Sequence, residues 1–252
     1  MVLWLTCTHG RYRCLQRNLR CYLDQDFLGE SVMYVCNTGT PLKLPEDFEL
    51  PENKKVYIDN VSMLGFTSLG AKYNHAIKMA KNLFPGVMVV TSADDDDIFL
   101  PNHISEGIKG MGSALLQGKV AYKPYWSYAR SRDQEGLVHY EKVHNALEPS
   151  IFVTVNHIIT HGFAPVSIRY HQQWLDPLEQ RNKILVDKNG VSTLIYNWGD
   201  NGGADSWEIY KMSGSGDDSR ENLKGHLAHS KDMGNNILVP AEDNTLYYTF
   251  KL

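Results

Sequence analysis

Val87-Met88-Val89-Val90-Thr91-Ser92-Ala93-Asp94-Asp95-Asp96-Asp97-Ile98-Phe99-Leu100 joins an apolar run to four consecutive aspartates, and its reading decides the fold. The run Val87 to Val90 predicts a strand buried on both faces, as in a parallel sheet covered by helices. In an extended backbone successive side chains alternate, so Asp94 and Asp96 point one way and Asp95 the other. Adjacent carboxylates repel, and holding them at the end of a buried strand is costly unless a cation or water compensates. Oxygen-only ligands suit a hard divalent ion, Mg²⁺ or Mn²⁺, and Mg²⁺ is usually held by one or two carboxylates plus substrate phosphates. The stretch therefore points to a metal site for a phosphorylated ligand, with a solvated acidic turn as the plain alternative.

Upstream, Val2 to Thr6 predicts a first strand, running into Cys7-Thr8-His9-Gly10-Arg11. Leu15, Leu19, Tyr22 and Leu23 then recur at helical spacing up to Asp26. Ser31 to Cys36 is a second apolar strand closed by Asn37-Thr38-Gly39, and after a proline-bearing connection Lys55 to Ile58 makes a third. Beyond the loop Ser62 to Phe66, an amphipathic helix carries Tyr73, Ala76, Ile77, Ala80, Leu83 and Phe84 on one face, and Pro85-Gly86 ends it. The order β-α-β-β-α-β predicts a largely parallel sheet flanked by helices. Ligands of such sheets sit beyond the carboxyl ends of the strands, where the loops Cys7–Arg11, Asn37–Gly39 and Asp94–Asp97 all lie.

The 252 residues fit one large domain or one and a half, and 42% hydrophobic with 21% charged residues is ordinary for a soluble globular protein. A net charge of −4 argues against strong non-specific binding to nucleic acid or anionic membrane, though not against a local basic groove. No apolar run approaches the roughly 20 residues of a membrane span and no basic leader is evident, so a cytoplasmic location is expected. Cys7, Cys14, Cys21 and Cys36 show no C-x-x-C spacing and are expected as reduced thiols rather than zinc ligands.

Downstream, Ile104, Ile108 and Met111 after Pro101 mark a helix, and Lys119 to Tyr122 a strand. Tyr122, Tyr125, Trp126 and Tyr128 serve either stacking on a sugar or base, or core packing. Ile151 to Val155 and Leu194 to Trp198 read as extended, with His157 and His161 one helical turn apart between them. Ser213 to Asn222, rich in Gly, Ser and Asp, is the expected mobile loop.

This order of motifs resembles glycosyltransferase family 2, which has the GT-A fold. Leu5-Thr6-Cys7-Thr8-His9-Gly10-Arg11 with Gln25-Asp26 is similar to the family's opening strand, Thr/Asn/Arg turn and helix ending near a Gln. Gly70-Ala71-Lys72-Tyr73-Asn74 resembles its small-residue helix start with an Asn. Asp94-Asp95-Asp96-Asp97-Ile98-Phe99-Leu100-Pro101 resembles its strand ending Asp-x-Asp-Asp with a Pro four residues on. The resemblance implies an α/β chain: a GT-A-like, Rossmann-like, mostly parallel central sheet flanked by helices, with a C-terminal acceptor-side region. Residues 1–125, which carry the resemblance best, are the implied nucleotide-sugar-binding half ending in the DxD region. Residues 126–252 are the acceptor-binding and catalytic-base half of the same globular domain.

The implied activity is metal-dependent, inverting transfer of a sugar from a nucleoside diphosphate donor, UDP by resemblance, to an acceptor hydroxyl, with Mn²⁺ or Mg²⁺ as cofactor. Asp94 and Asp95 then contact the nucleotide, Asp94 and Asp96 the metal, and Asp97 orients the sugar. Thr6, Thr8 and Arg11 lie near the base or phosphates unless they serve only strand-end hydrogen bonding. Asn37 stands where the family often has an acidic residue, and Lys72 and Asn74 reach the donor. Asp205, in Ala204-Asp205-Ser206-Trp207-Glu208, is the implied general base; an N-cap with Glu208 completing a capping box is the other reading. Asp200 and Glu179 are reserves. His226 or His229 completes the metal shell by resemblance, with a surface histidine as the alternative.

A glycan or small-molecule acceptor is the family's common case. Some phage-encoded members sugar-modify hydroxymethylated DNA bases, and for such a substrate, in a host cytoplasm, Arg11, Arg13, Arg17, Arg20, Lys123, Arg130 and Arg132 would form a basic rim. Two rivals remain. A nucleotidyltransferase uses a similar sheet and acidic site but has a glycine-rich basic signature that Cys7 to Arg13 lacks. A non-catalytic metal- or sugar-binding module would not need Asp205.

Overall fold

The strand Val2–Thr8 (β1) is buried at every position, as it must be when helices cover both faces of its sheet. The computed structural model describes residues 1–9, 12–45, 48–132, 138–144, 150–163, 178–197 and 231–232. After β1 come α1 (Tyr12–Leu23), β2 (Ser31–Asn37), β3 (Lys54–Asn60), a short 3₁₀ turn (Met63–Gly65), α2 (Leu69–Leu83) and β4 (Val89–Ser92). This is the β-α-β-β-α-β alternation expected. There follow β5 (Ile98–Phe99), α3 (His103–Leu116), β6 (Ala121–Pro124), β7 (Trp126–Arg132), β8 (Val138–His144), β9 (Phe152–Thr154) and α4 (Val155–His161). Strands β10 (Ile184–Asp187), β11 (Leu194–Asn197) and β12 (Lys231–Asp232) complete the described elements.

The central sheet has seven strands in the order β10-β6-β9-β4-β1-β2-β3, with β9 alone antiparallel to its neighbours. A second sheet, β12-β8-β7-β11-β5, mixes directions. Strands β1 and β2 pair from Val2↔Ser31 to Thr8↔Asn37, so both end at one edge. The aspartates fill the link from β4, in the first sheet, to β5, in the second. The acidic turn is therefore anchored at both ends by different sheets.

Alternation along the strands feeds two cores. Leu3, Leu5, Val32 and Tyr34 pack with Ala76, Ile77 and Ala80 of α2 on one face. Val2, Trp4, Met33 and Val35 pack with Leu15, Leu19 and Tyr22 of α1 on the other, together with Phe99 and Ile104. Each of the Val, Leu, Ile, Met and Phe side chains among them contributes about 1.5–3 kcal/mol on leaving water.

Two sequence expectations need correction, and one feature was not expected. The strand before the aspartates runs Val89–Ser92 rather than Val87–Val90, and Met88 is 69% exposed. Val87 donates its N–H to Phe84 in a turn and plugs the core ahead of the ladder, which starts at Val2↔Val89. The next strand runs Ala121–Pro124, not Lys119–Tyr122, because Lys119 still caps the end of α3 through Ala114. The second sheet was not anticipated at all.

Candidate active site

The carboxyl ends of β1 and β2 are tied together by a buried lysine. Lys72, in the first turns of α2, is 6% exposed and donates from Nζ to the Thr8 carbonyl at 2.6 Å and to Thr38 Oγ1 at 2.9 Å. Its helix starts there because Ser68 caps it, accepting the Ala71 N–H at 3.2 Å. The Thr8 carbonyl also receives the Thr38 N–H at 3.1 Å. Beside Thr8, burial pushes the Cys7 thiol well above its ordinary value, and a hydrogen bond with Cys36 adds to that. The strand thus carries a neutral group under this edge.

The acidic turn stands next to it. Ala93 extends the β1–β4 ladder by donating to the Leu5 carbonyl at 2.8 Å, and then the chain turns, with Asp97 N–H directed to the Asp94 carbonyl at 3.3 Å. Burial alternates through the four residues: Asp95 and Asp97 are 0% and 1% exposed, while Asp94 and Asp96 are half-buried. A turn, not an extended strand, produces that alternation. Thr8 Oγ1 donates to Asp95 Oδ2 at 2.6 Å, and the Tyr73 hydroxyl donates to Asp94 Oδ1 at 2.7 Å. Each bond fixes the direction of the carboxyl group that accepts it.

The other expected site residues are distributed as follows. Thr6 is buried and donates to Asn18 Oδ1 at 3.2 Å. Asn37 is 0% exposed; its amide donates to the Thr40 carbonyl and to Asn60 Oδ1, both at 2.8 Å, and its Oδ1 accepts the Gly39 N–H at 3.0 Å. Asn74 makes a two-way bond with the main chain of Phe163, donating at 2.8 Å and accepting at 2.7 Å. Thr6, Asn37 and Asn74 therefore use their side chains to build the walls of the edge. Arg11, Asp200, Asp205, His226 and His229 lie outside the described residues, as do the side chains of Arg13, Arg130 and Arg132. Of the basic rim, Arg17 meets the Asp96 carbonyl, Arg20 pairs with Asp24 at 2.6 Å, and Lys123 pairs with Glu179 at 2.8 Å. His157 and His161 do share a face of α4, their ring centroids 4.3 Å apart.

Among the described residues, no three His, Cys, Asp or Glu side chains converge as a metal cage. A hard cation shared between one or two carboxylates and the phosphates of a bound diphosphate needs no such cage. The half-buried oxygen donors of Asp94 and Asp96 fit that second arrangement.

Three residues that touch the turn were not expected there: Asn18 was missed outright, and Arg17 was read only as part of a basic rim. Asn18, 0% exposed, donates to the Asp94 carbonyl at 2.8 Å, Arg17 donates to the Asp96 carbonyl, and Tyr73 was read only as core. For Asn18 a signal existed. It is three residues after Leu15 and four before Tyr22, a polar residue on the apolar stripe of α1.

No family model matches the chain, and no curated protein matches it by sequence. By structure it is similar to S. aureus TarS 1-349, at 12% identity and a TM-score of 0.54, over 79% of this chain and 61% of that one. The same TarS 1-349 solved in complex with UDP-GlcNAc matches at 14% identity and a TM-score of 0.54, over 78% and 58%. Its complex with UDP matches at 14% and 0.53, over 78% and 60%. The chain spans about three fifths of the length of these structures. The likeness is one of fold, and that fold is the GT-A-like one expected: a seven-stranded, mostly parallel sheet flanked by helices, with the acidic turn at its carboxyl edge.

Proposed function

We propose that the chain is a glycosyltransferase that moves a sugar from a UDP-sugar to an acceptor hydroxyl. One observation carries the reading: two half-buried carboxylates, Asp94 and Asp96, stand on a turn fixed by Thr8 and Tyr73 at the carboxyl edge of a GT-A-like sheet. Crystals of TarS 1-349 with UDP and with UDP-GlcNAc, on a similar fold, support UDP as the nucleotide.

Asp94 and Asp96 would hold Mn²⁺ or Mg²⁺ together with the donor's diphosphate. That ion supplies neutralisation of the charge that builds on the leaving UDP. The protein's own work is binding and orientation. Asp95 and Asp97 are buried within the turn, and in this reading Asp97 would orient the sugar. Lys72 holds the ends of β1 and β2 together under the donor. In the transfer, the acceptor oxygen bonds to the anomeric carbon, the bond from that carbon to the diphosphate breaks, and the acceptor proton passes to a carboxylate base, Asp205 in this reading. One displacement inverts the anomeric centre.

The test is a thermal-shift panel of UDP, GDP, CDP and TDP with and without Mn²⁺, followed by hydrolysis of the matching nucleotide sugars. UDP is expected to stabilise the protein only with metal present, and Asp96→Ala to abolish the shift. Asp205→Ala should keep the shift and lose transfer. Equal shifts for all four nucleotides in EDTA would discard the reading. Transfer onto glycans, small hydroxyl compounds and hydroxymethylated duplex DNA then sorts the acceptors.

A further inference from the structure

Helix α1 grips the acidic turn by its main chain. Asn18 Nδ2 donates to the Asp94 carbonyl at 2.8 Å, an Arg17 guanidinium nitrogen to the Asp96 carbonyl at 2.5 Å, and Gln25 Nε2 to the Leu100 carbonyl at 2.9 Å. Two of the contacts fall within the turn that links the two sheets, and the third just beyond β5. Two of the donors are themselves locked. Asn18 accepts from Trp4 Nε1 at 2.9 Å and from Thr6 Oγ1 at 3.2 Å. Gln25, 4% exposed, also donates to the Cys21 carbonyl and accepts the Ile104 N–H, both at 2.8 Å. A site is only as well defined as the groups that hold its backbone, and buried, doubly bonded amides hold it tightly.

These three contacts are made to main-chain carbonyls, and this matters chemically. Fixing a carbonyl sets the ψ angle of its residue, and with it the direction of the side chain. We infer that Arg17, Asn18 and Gln25 are positioning residues, and that α1 is the template on which Asp94 and Asp96 are aimed at a cation and diphosphate. This rests on the proposed donor site.

Arg17 separates positioning from simple electrostatics. A guanidinium beside four carboxylates repels an incoming cation, so if charge were its whole effect, Arg17→Met would tighten Mn²⁺. Positioning predicts the opposite sign. The variant keeps the apolar stem of the side chain, so folding should survive. Two measurements are made on the intact chain: amide hydrogen exchange of residues 93–100 without ligand, and UDP affinity by calorimetry with and without Mn²⁺.

Arg17→Met is expected to speed exchange across the turn about tenfold and to weaken metal-dependent UDP binding by a similar factor, with β1 and β2 unchanged. Arg17→Lys, which restores charge but not the fork, should recover only part of either effect. Unchanged exchange in Arg17→Met overturns the inference, and so does faster exchange with equal or tighter Mn²⁺-dependent UDP binding. A wild-type chain that binds no UDP with Mn²⁺ sinks the donor site, and with it the aim of the carboxylates. The exchange arm would then still decide whether α1 holds the turn.

Discussion

The hydroxyl of Thr8 donates to Oδ2 of Asp95 at 2.6 Å, joining the end of the first strand to a carboxylate 87 residues later. Both side chains are buried, Thr8 at 2% and Asp95 at 0% exposure. Leaving a buried acceptor without its donor costs about 1–3 kcal/mol, and valine has threonine's shape without the hydroxyl. Thr8→Val should therefore lower the unfolding free energy by about 2 kcal/mol in urea titration. A loss below about 0.5 kcal/mol would mean that Asp95 does not depend on Thr8.

Metal and nucleotide should bind as a pair. Among the described residues no group of three His, Cys, Asp or Glu side chains forms a cage, so a cation held by Asp94 and Asp96 would need diphosphate oxygens to fill its shell. Mn²⁺ alone is expected to show no saturable binding below millimolar concentration in a spin-resonance titration, and to bind at least about tenfold more tightly with UDP present. Tight binding of Mn²⁺ to the unliganded chain would place a complete shell of ligands in the protein itself.

How much of this could be read beforehand follows from what each residue does. Val2 to Thr6 was legible as a strand because a strand buried on both faces is largely apolar, although β1 runs on to Thr8. Val87 misled because a hydrophobic run marks burial, and burial does not distinguish a strand from the plug ahead of it. Strand β5, Ile98–Phe99, is too short to display any period, so although Leu194 to Trp198 read as extended, nothing in the sequence paired it into a second sheet. At the site, residue types announced the carboxylates but not their support. The bonds from Thr8, Tyr73, Asn18 and Arg17 join residues 21 to 87 positions apart, and such pairings become visible only when the sheet brings them together.

His103 should make the protein acid-sensitive. It is 0% exposed, ringed by Trp4, Phe99 and Phe152, with Nδ1 2.8 Å from Thr193 Oγ1 and Nε2 3.3 Å from Thr91 Oγ1. Burial pushes its pKa down from 6.5 to about 3. Below pH 6.5 the unfolded chain takes up a proton that the folded chain refuses, so stability falls with acid until the folded value is reached. The limiting slope for one proton is about 1.4 kcal/mol per pH unit. Urea titrations between pH 6.5 and 5, above most carboxylate titration, should show stability dropping in the wild type and a shallower drop in His103→Gln. Burial also lowers the pKa of His157, so the difference between the two proteins, not the wild-type slope, isolates His103. Parallel curves would show that the ring is hydrated.

Two glycines of α3 should respond to the same substitution with opposite signs. Alanine favours a helix over glycine by about 1 kcal/mol wherever there is room for its methyl group. At Gly112 nothing lies within 4 Å of an added Cβ, so Gly112→Ala should stabilise by up to about that amount. At Gly107 the added carbon would fall 2.1 Å from Cζ of Phe152, a buried ring of the sheet face, and at Gly110 it would fall 2.2 Å from Cζ of Tyr122. Neither ring can swing clear, since each is enclosed between the sheet and the helix in one small core cluster with Met111 and Ala114. Overpacking of this kind costs about 1–3 kcal/mol or more, enough to reverse the helix gain. Gly107→Ala should thus lower the melting temperature while Gly112→Ala raises it. Shrinking the obstacle with Phe152→Leu should recover part of the loss in the double variant beyond the sum of the single changes. If both alanines stabilise equally, α3 does not approach the sheet as closely as its glycines allow, and the position of its first turn behind Leu100, at the end of the acidic segment, would have to be redrawn.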